Sequence, residues 1–449
     1  MSEPIISVSG LRGVVGESLT PEIAVRYASA LAGELPPGTL VITRDGRASG
    51  PMLAAALRDG LTALGRDILD AGVAATPTLG VLVRQHRAAG GVQISASHNP
   101  PQYNGLKLFS AEGRVVPESI GARIIQRYRK PPDTSPVLQP GRVQRCDDST
   151  GEHLALVLRT VDVDHIRAAR FTVLLDANHG AGGILGRRLL EALGCKVTLL
   201  GEMPDGQFEH VPEPTAENLV GVLEAVTRHG CDVGFCQDPD ADRLAVIDEA
   251  GRYVGEEYTL AICVAARLRS ELGPIVTNCS TSRMSQDLAE QFGVPFFRSA
   301  VGEANVVDAM LAHGALLGGE GNGGAIDPRV VLVRDSFVAM AAILDAMAGR
   351  KMKVSQLAAE LPRYEIVKTR ITLPRERMSA AFNAVERHFN DAQVDRLDGL
   401  RLDWPGKWLL VRASNTEPIV RAIAEAPSQA EAERLCREAQ AAMIAEKPD

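Results

Sequence analysis

Gly91-Val92-Gln93-Ile94-Ser95-Ala96-Ser97-His98-Asn99-Pro100-Pro101 sets an apolar, strand-like run directly before a hydroxyl, an imidazole and a proline turn. Proline fixes φ and its predecessor avoids helical geometry, so the chain must turn at Asn99. A strand that ends this way holds Ser97 at the rim of a sheet, where open α/β folds keep their ligands. Taken alone, the segment reads equally well as a polar turn stabilised by its Ser and Asn side chains.

Three further segments bear on that choice. In Asp238-Pro239-Asp240-Ala241-Asp242-Arg243 the carboxylates of Asp238, Asp240 and Asp242 alternate. Alternate residues of an extended or looped backbone project to one side. Three crowded anions are costly without a cation, and an all-oxygen donor set selects a hard divalent ion such as magnesium. The runs 232–236 and 244–248 read as buried strands, which pins the loop between core elements. Asp238, Asp240, Asp242 and Glu249 also match the spacing of a calcium-binding EF-hand loop. There, however, Arg243 takes the place of the required glycine, and no helical pattern flanks the segment.

The segment Gly318-Gly319-Glu320-Gly321-Asn322-Gly323-Gly324 lets backbone approach a ligand closely, with Glu320 and Asn322 able to bond vicinal hydroxyls. A flexible hairpin tip is the competing reading. Finally, Arg412, Ser414, Asn415, Thr416 and Arg421 gather two guanidinium groups, two hydroxyls and an amide within ten residues. Arginine forks and nested backbone N–H groups suit phosphate oxygens. A nucleophile, a metal triad, a polyol site and a phosphate cradle together describe metal-assisted phosphoryl transfer on a sugar phosphate.

The chain resembles the α-D-phosphohexomutases, the family of phosphoglucomutases, phosphomannomutases and phosphoglucosamine mutases. The likeness spans the whole chain, with motifs in family order. Ser97-His98-Asn99-Pro100 resembles the active-site serine loop, 238–243 the magnesium loop, 320–324 the sugar loop and 412–421 the phosphate loop. Ser9-Gly10-Leu11-Arg12-Gly13 and Asn104-Gly105-Leu106-Lys107 are lesser matches. The sugar loop departs from the common Gly-Glu-x-Ser-Gly-His pattern, with Asn322 for the serine and Gly324 for the histidine.

Composition agrees with such an enzyme. The 449 residues imply about three domains by length, and 45% are hydrophobic. A net charge of −8 disfavours nucleic-acid and anionic-membrane binding. An anionic substrate then needs local positive charge, as Arg12, Arg44, Arg47, Lys107, Arg412 and Arg421 can supply. Apolar runs are too short to span a membrane and the N-terminus lacks signal-peptide character. Seven scattered cysteines form neither a disulfide framework nor a zinc pattern, which fits a cytoplasmic protein.

Helical and strand patterns alternate, as in α/β layers. Thr20 opens a helix running to about Leu35, and Ser428 with Glu431 forms a capping box before a C-terminal helix. Boundaries fall so that residues 1–150 carry the serine loop, 151–255 the metal loop, 256–365 the sugar loop and 366–449 the phosphate loop. The resemblance implies three similar mixed α/β domains and a smaller C-terminal α+β domain around a central cleft. The sequence itself displays no clear internal repeat.

What the resemblance implies for chemistry is a phosphoserine at Ser97 and magnesium held by Ser97, Asp238, Asp240 and Asp242. Transfer between the 6- and 1-positions then passes through a hexose 1,6-bisphosphate that turns around in the cleft. Lys107 is the first acid/base candidate, with Arg12 and His98 as partners. Arg243 orients the metal loop or the phosphoserine. Glu320, Asn322, Arg412, Ser414, Asn415, Thr416 and Arg421 bind substrate. Arg44, Arg47, His179 and Asp335 are candidates for supporting these groups. Phosphoglucosamine mutase is the leading expectation, with phosphomannomutase/phosphoglucomutase next and a sugar phosphatase or a non-catalytic sensor behind. The partner is a small sugar phosphate, and the protein is expected as a monomer or homodimer.

Overall fold

The computed structural model describes residues 3–7, 10–131, 139–413 and 419–445. One strand arrangement occurs three times along the chain. In the first copy Gly90–Ile94 pairs parallel with Leu40–Arg44, which pairs parallel with Ile68–Val73. Tyr103–Ser110 closes the other side antiparallel, with Ile94 opposite Leu106. The same order and directions recur in Thr172–Asp176, Lys196–Leu200, Val233–Gln237 and Leu244–Ile247. They recur again in Ile275–Asn278, Phe296–Ser299, Leu317–Glu320 and Gly324–Ile326. The first sheet also gains Ile5–Ser7 and Gly10–Val14 at one edge and Val143–Arg145 at the other.

The repeat absent from the residue pattern is thus explicit in the topology. Its consequence is positional: the third and fourth strands of each copy form a hairpin. Those three hairpin connections are the serine loop (95–102), the acidic loop (238–243) and the glycine loop (321–323). Parallel strands covered by helices on both faces are apolar throughout, not alternating. Leu40–Ile42, Val173–Leu175 and Ile275–Val276 are accordingly all buried.

One hydrophobic core runs through the three copies, joining Leu79 and Val81 to Leu175 and Phe235 and to Phe337 and Ile343. Its spine is the helix Ser336–Arg350, capped by Asp335, whose carboxylate accepts from the N–H groups of Phe337 and Val338. The last sheet differs in kind. It is antiparallel, ordered Glu365–Thr372, Ile419–Ala426, Lys407–Ala413, Leu400–Trp404, Gln393–Asp395. It packs on its own helices through a separate core that includes Leu402, Leu409, Val420 and Leu435. Cys279, Trp408, Leu410 and Ile423 form a small apolar contact with the third copy.

Local corrections follow from side-chain competition. The helix after Thr20 is Pro21–Ala32, ending before Leu35, because Gly33 closes it through backbone bonds to Ser29 and Leu31. The capping box at Ser428 is half formed: the Glu431 N–H donates to Ser428 Oγ at 3.4 Å, but its carboxylate takes Lys407 at 2.7 Å. Gly318 and Gly319 lie in a buried strand, so the glycine-rich segment is no free tip. All seven cysteines are free thiols, and no described helix is long and apolar enough to cross a membrane.

Candidate active site

The serine loop is held from beneath. Arg47, almost wholly buried, donates to the carbonyls of Ser97 (2.7 Å), Asn99 (2.5 Å), Pro100 (2.8 Å) and Tyr103 (2.9 Å). Asp45 anchors Arg47 at 3.2 Å and accepts from Ser95 Oγ at 2.7 Å. Burial pushes the Asp45 carboxyl up to about 6 against the pull of Arg47. Ser95 Oγ in turn accepts from the Ser97 N–H at 2.9 Å. Within this frame Ser97 takes φ 50°, a left-handed conformation that costs a residue with a Cβ and persists only where surroundings impose it.

That conformation aims Ser97 Oγ across to the second copy, where it donates to Asp238 at 2.7 Å. Asp238, Asp240 and Asp242 are fully buried, with oxygens within 4.8 Å of one another. Burial together with Asp242 and Asp240 drives the Asp238 carboxyl well above its usual range. Asp242 goes the other way: burial opposes ionisation, but Arg334, Lys107 and Arg243 outweigh it. One oxygen each of Asp240 and Asp242 has no hydrogen-bond partner. Buried, unpaired carboxylate oxygens are expensive, and this hard donor set fits a divalent cation such as magnesium. Asp238, Asp240, Asp242 and the Ser97 oxygen are the groups that would hold it.

Cations from three directions surround the triad. Lys107 Nζ lies 2.5 Å from Asp240 and 2.7 Å from Asp242. Burial works to lower the lysine, but the two carboxylates prevail and raise it, so it is an ammonium here. It is not the surface lysine that a strand edge permits. His98 Nδ1 sits 3.3 Å from Ser97 Oγ. Burial, then Arg243 and Arg12, lowers His98 to about 2, so the ring is neutral and has no proton to give as an imidazolium. Arg12 donates to Asn99 Oδ1 at 3.0 Å and lines the cleft beside Arg243. The Arg243 N–H donates to Asp238 at 3.2 Å, and its Nε stays 3.8 Å from Asp242.

Arg334 is the residue that sequence reasoning missed. It bridges Asp242 (2.7 Å), Glu320 (2.6 Å) and Glu303 (3.0 Å), tying the acidic loop to the glycine loop. Thr76 was missed as well; its hydroxyl donates to Asp240 and its N–H to the Asp240 carbonyl. The only signal for Arg334 was a charge closing the apolar run 330–333, overshadowed by its neighbour Asp335. Asp335 itself serves the helix and a buried pair with His153 at 2.7 Å, away from Ser97. His179 bonds Met203 and Asp205 on the second copy, and Arg44 reaches the Asp45 carbonyl, so neither joins the cleft.

Glu320 is committed to Asn278 (2.7 Å), the Gly302 N–H (3.2 Å) and Arg334, whereas Asn322 Oδ1 is buried without a partner. Both face a cleft of about 520 Å³ that also exposes Lys107, Arg243 and Arg421. Arg412 is paired with Asp398 at 3.2 Å, and Asp398 accepts from the Val301 N–H of the third copy at 2.9 Å. Ser414, Asn415 and Thr416 lie outside the described residues.

Family models match the whole arrangement. Those for phosphoglucomutase/phosphomannomutase α/β/α domains I, II and III match residues 5–134, 152–251 and 256–364. The model for the C-terminal domain matches 369–442. A phosphoglucomutase/phosphomannomutase of Thermococcus kodakarensis is 36% identical over 94% of both chains. A protein of Methanopyrus kandleri named "Probable phosphoglucosamine mutase" is 34% identical over 95% of both. Among solved structures, a phosphoglucomutase/phosphomannomutase family protein of Burkholderia thailandensis aligns over 99% of both chains with TM-score 0.83 and 27% identity. An Aspergillus fumigatus N-acetylphosphoglucosamine mutase, solved with GlcNAc-6P and magnesium, shares the fold at 18% identity and TM-score 0.54. With all four domains matched in order and a relative above one third identity along nearly its full length, this chain belongs to the phosphoglucomutase/phosphomannomutase family and is a phosphohexomutase, an isomerase.

Proposed function

We propose that the protein interconverts hexosamine 6- and 1-phosphates, as a phosphoglucosamine mutase, through phosphorylated Ser97. The observation that carries the phosphoserine reading is Ser97 Oγ, strained into position and 2.7 Å from the acidic triad. When bound to the triad and Ser97, magnesium supplies electrostatic stabilisation of the transferring phosphoryl group.

The chain's own residues do the rest. The sugar hydroxyl attacks the phosphorus as the Ser97 Oγ–P bond breaks, and the new O–P bond yields a hexose 1,6-bisphosphate. Lys107 gives a proton to Ser97 Oγ and takes one from the attacking hydroxyl, ending in the state in which it began. His98, neutral and with its proton on Nδ1, donates a hydrogen bond to Ser97 Oγ and positions that oxygen. Arg12 and Arg243 hold the phosphoryl oxygens. The bisphosphate then turns around in the cleft, and the reverse transfer returns a phosphoryl group to Ser97. Glu320 and Asn322 orient the sugar, while Arg412, Ser414, Asn415, Thr416 and Arg421 bind the other phosphate. Functional units 1–150, 151–255, 256–365 and 366–449 each bring one loop.

The sugar preference rests on relatives about 34% identical that carry the name probable phosphoglucosamine mutase. The runner-up, phosphomannomutase/phosphoglucomutase, is favoured by the name of the 36% identical relative. A coupled isomerisation assay with glucosamine, mannose and glucose phosphates, with magnesium and the matching 1,6-bisphosphate, decides. Glucosamine phosphate is expected to give the highest kcat/KM. A higher value for mannose or glucose phosphate overturns the sugar assignment, and phosphate release without isomerisation overturns the mutase.

A further inference from the structure

Strand register in the C-terminal sheet puts like charges side by side. Arg370 stands directly opposite Arg421, and Arg421 directly opposite Arg412, so three guanidinium groups form a row across three adjacent strands. Lys368, two residues before Arg370, projects to the same face and stands opposite Ile423. The row does not serve the sheet's own core. Val367, Ile371, Val420 and Ala422 on the opposite face do that, while Ile423 packs towards the third copy.

Like charges directly opposite each other destabilise a sheet unless something neutralises them. Arg412 has Asp398. Lys368, Arg370 and Arg421 have no hydrogen bond or ion pair among the described residues. All three line a cavity of about 440 Å³ that also takes in Glu257, Glu320 and Asn322. Glu320 is neutralised by Arg334. Two acids face Lys368: Glu256 and the half-buried Glu257, which accepts from the Ser282 N–H at 2.9 Å. Burial pushes Glu257 up to about 8 and Glu256 up to about 7, so near neutral pH they offset Lys368 only in part and leave Arg370 and Arg421 without a partner. The cavity therefore presents one partly compensated lysine and two guanidinium forks unpaired among the described residues, which match phosphate oxygens.

This second cavity meets the catalytic cleft at Glu320, Asn322 and Arg421, which line both. A ligand with one end at Ser97 and Lys107 reaches the arginine row by passing the glycine loop. We propose that Lys368 and Arg370 complete, with Arg421, the subsite that binds the phosphate remote from Ser97. The proposal rests on the mutase reading and adds to Arg421 two residues from the neighbouring strand Glu365–Thr372. Because the bisphosphate must present either phosphate to this place, donors without fixed partners suit it better than a rigid cradle.

The test compares Lys368→Met, Arg370→Gln and the double variant with wild type. Two readouts are kinetics with the best sugar phosphate and the shift in melting temperature produced by inorganic phosphate. Each single change is expected to raise KM about tenfold with kcat altered much less. The double variant loses most of the phosphate-induced shift, and Arg370→Lys recovers part of the affinity. Melting without phosphate stays level or rises, since the change relieves repulsion. Unchanged KM and an unchanged phosphate shift in the double variant overturn the subsite, as does a fall in melting temperature without phosphate that accounts for the lost activity. A wild type that isomerises no sugar, yet loses its phosphate shift on mutation, supports the subsite and overturns only the mutase reading.

Discussion

Residues 10–350 and the C-terminal sheet solve the same problem, presenting polar groups to one cleft, by different physical means. In the first three copies a single core fixes the serine, acidic and glycine loops relative to one another. Bonds then lock the loops directly: Ser97 to Asp238, Lys107 to Asp240 and Asp242, and Arg334 to Asp242 and Glu320. The C-terminal sheet has its own core and meets the third copy through a small apolar cluster and a set of polar links: Arg412 and Asp398 to Val301, Arg298 to Asp403, Arg401 to the Cys279 carbonyl, and the Arg283 N–H to Glu425. The chemistry proposed for Ser97 and the acidic triad thus sits on the shared core, and the proposed recognition of the remote phosphate sits on the part with a core of its own.

Substitutions should therefore divide by region. Ser97→Ala is expected to lower kcat about 10⁴-fold or more while the protein still binds sugar phosphate; isomerisation at near wild-type rate would break the division at once. Chelating divalent ions, or Asp240→Asn, should cost about 10² to 10³-fold in kcat. Added magnesium should restore the chelated enzyme but not the variant, which a titration of rate against metal checks. Arg334→Met removes one partner of a buried charge network and should lower kcat about 10² -fold, with a loss of about 3 kcal/mol in denaturant-measured stability.

Across the divide, Arg421→Gln is expected to raise KM about tenfold and leave kcat within a few-fold, since it binds without touching the reacting atoms. A fall in kcat equal to that of Arg334→Met would place it with the chemical machinery instead. The smallest effect on rate is expected from Ile423→Ala at the junction, which should cost about 2 kcal/mol. In calorimetry this should separate unfolding of the C-terminal unit from that of the rest. A single unshifted transition would mean that the two regions are more tightly joined than their cores indicate.

Much of the site was legible because its chemistry uses residues that are costly anywhere else. Three alternating aspartates between buried strands are costly without a cation, and they tipped the reading of Ser-His before a double proline, which alone reads equally well as a polar turn. The glycine-rich segment was harder. Its first two glycines belong to a strand, where Gly318 leaves room for Met310 and Gly319 for the Gly324 carbonyl. Gly323, at φ 81°, lies against the Leu244 backbone that follows the acidic loop, a contact between copies that no local pattern announces. Arg334 and Thr76 were illegible for the same reason: each is an ordinary residue whose partner lies tens of residues away or more. Spacing also promised more than it delivered at Glu431, where Lys407 outcompeted the helix cap.

The sequence by itself determined the alternation of element types, the order of the loops and which polar residues each loop carries, because these depend on local backbone preference and on residue type. Only the tertiary structure decided that three of the loops are one hairpin position used three times, that Lys107 is a buried ammonium and that Arg334 ties two of them together. It also decided that Lys368 and Arg370 share a face with Arg421. Those facts depend on strand register and on which copy packs against which, and both are set by burying a common core across long separations in the chain.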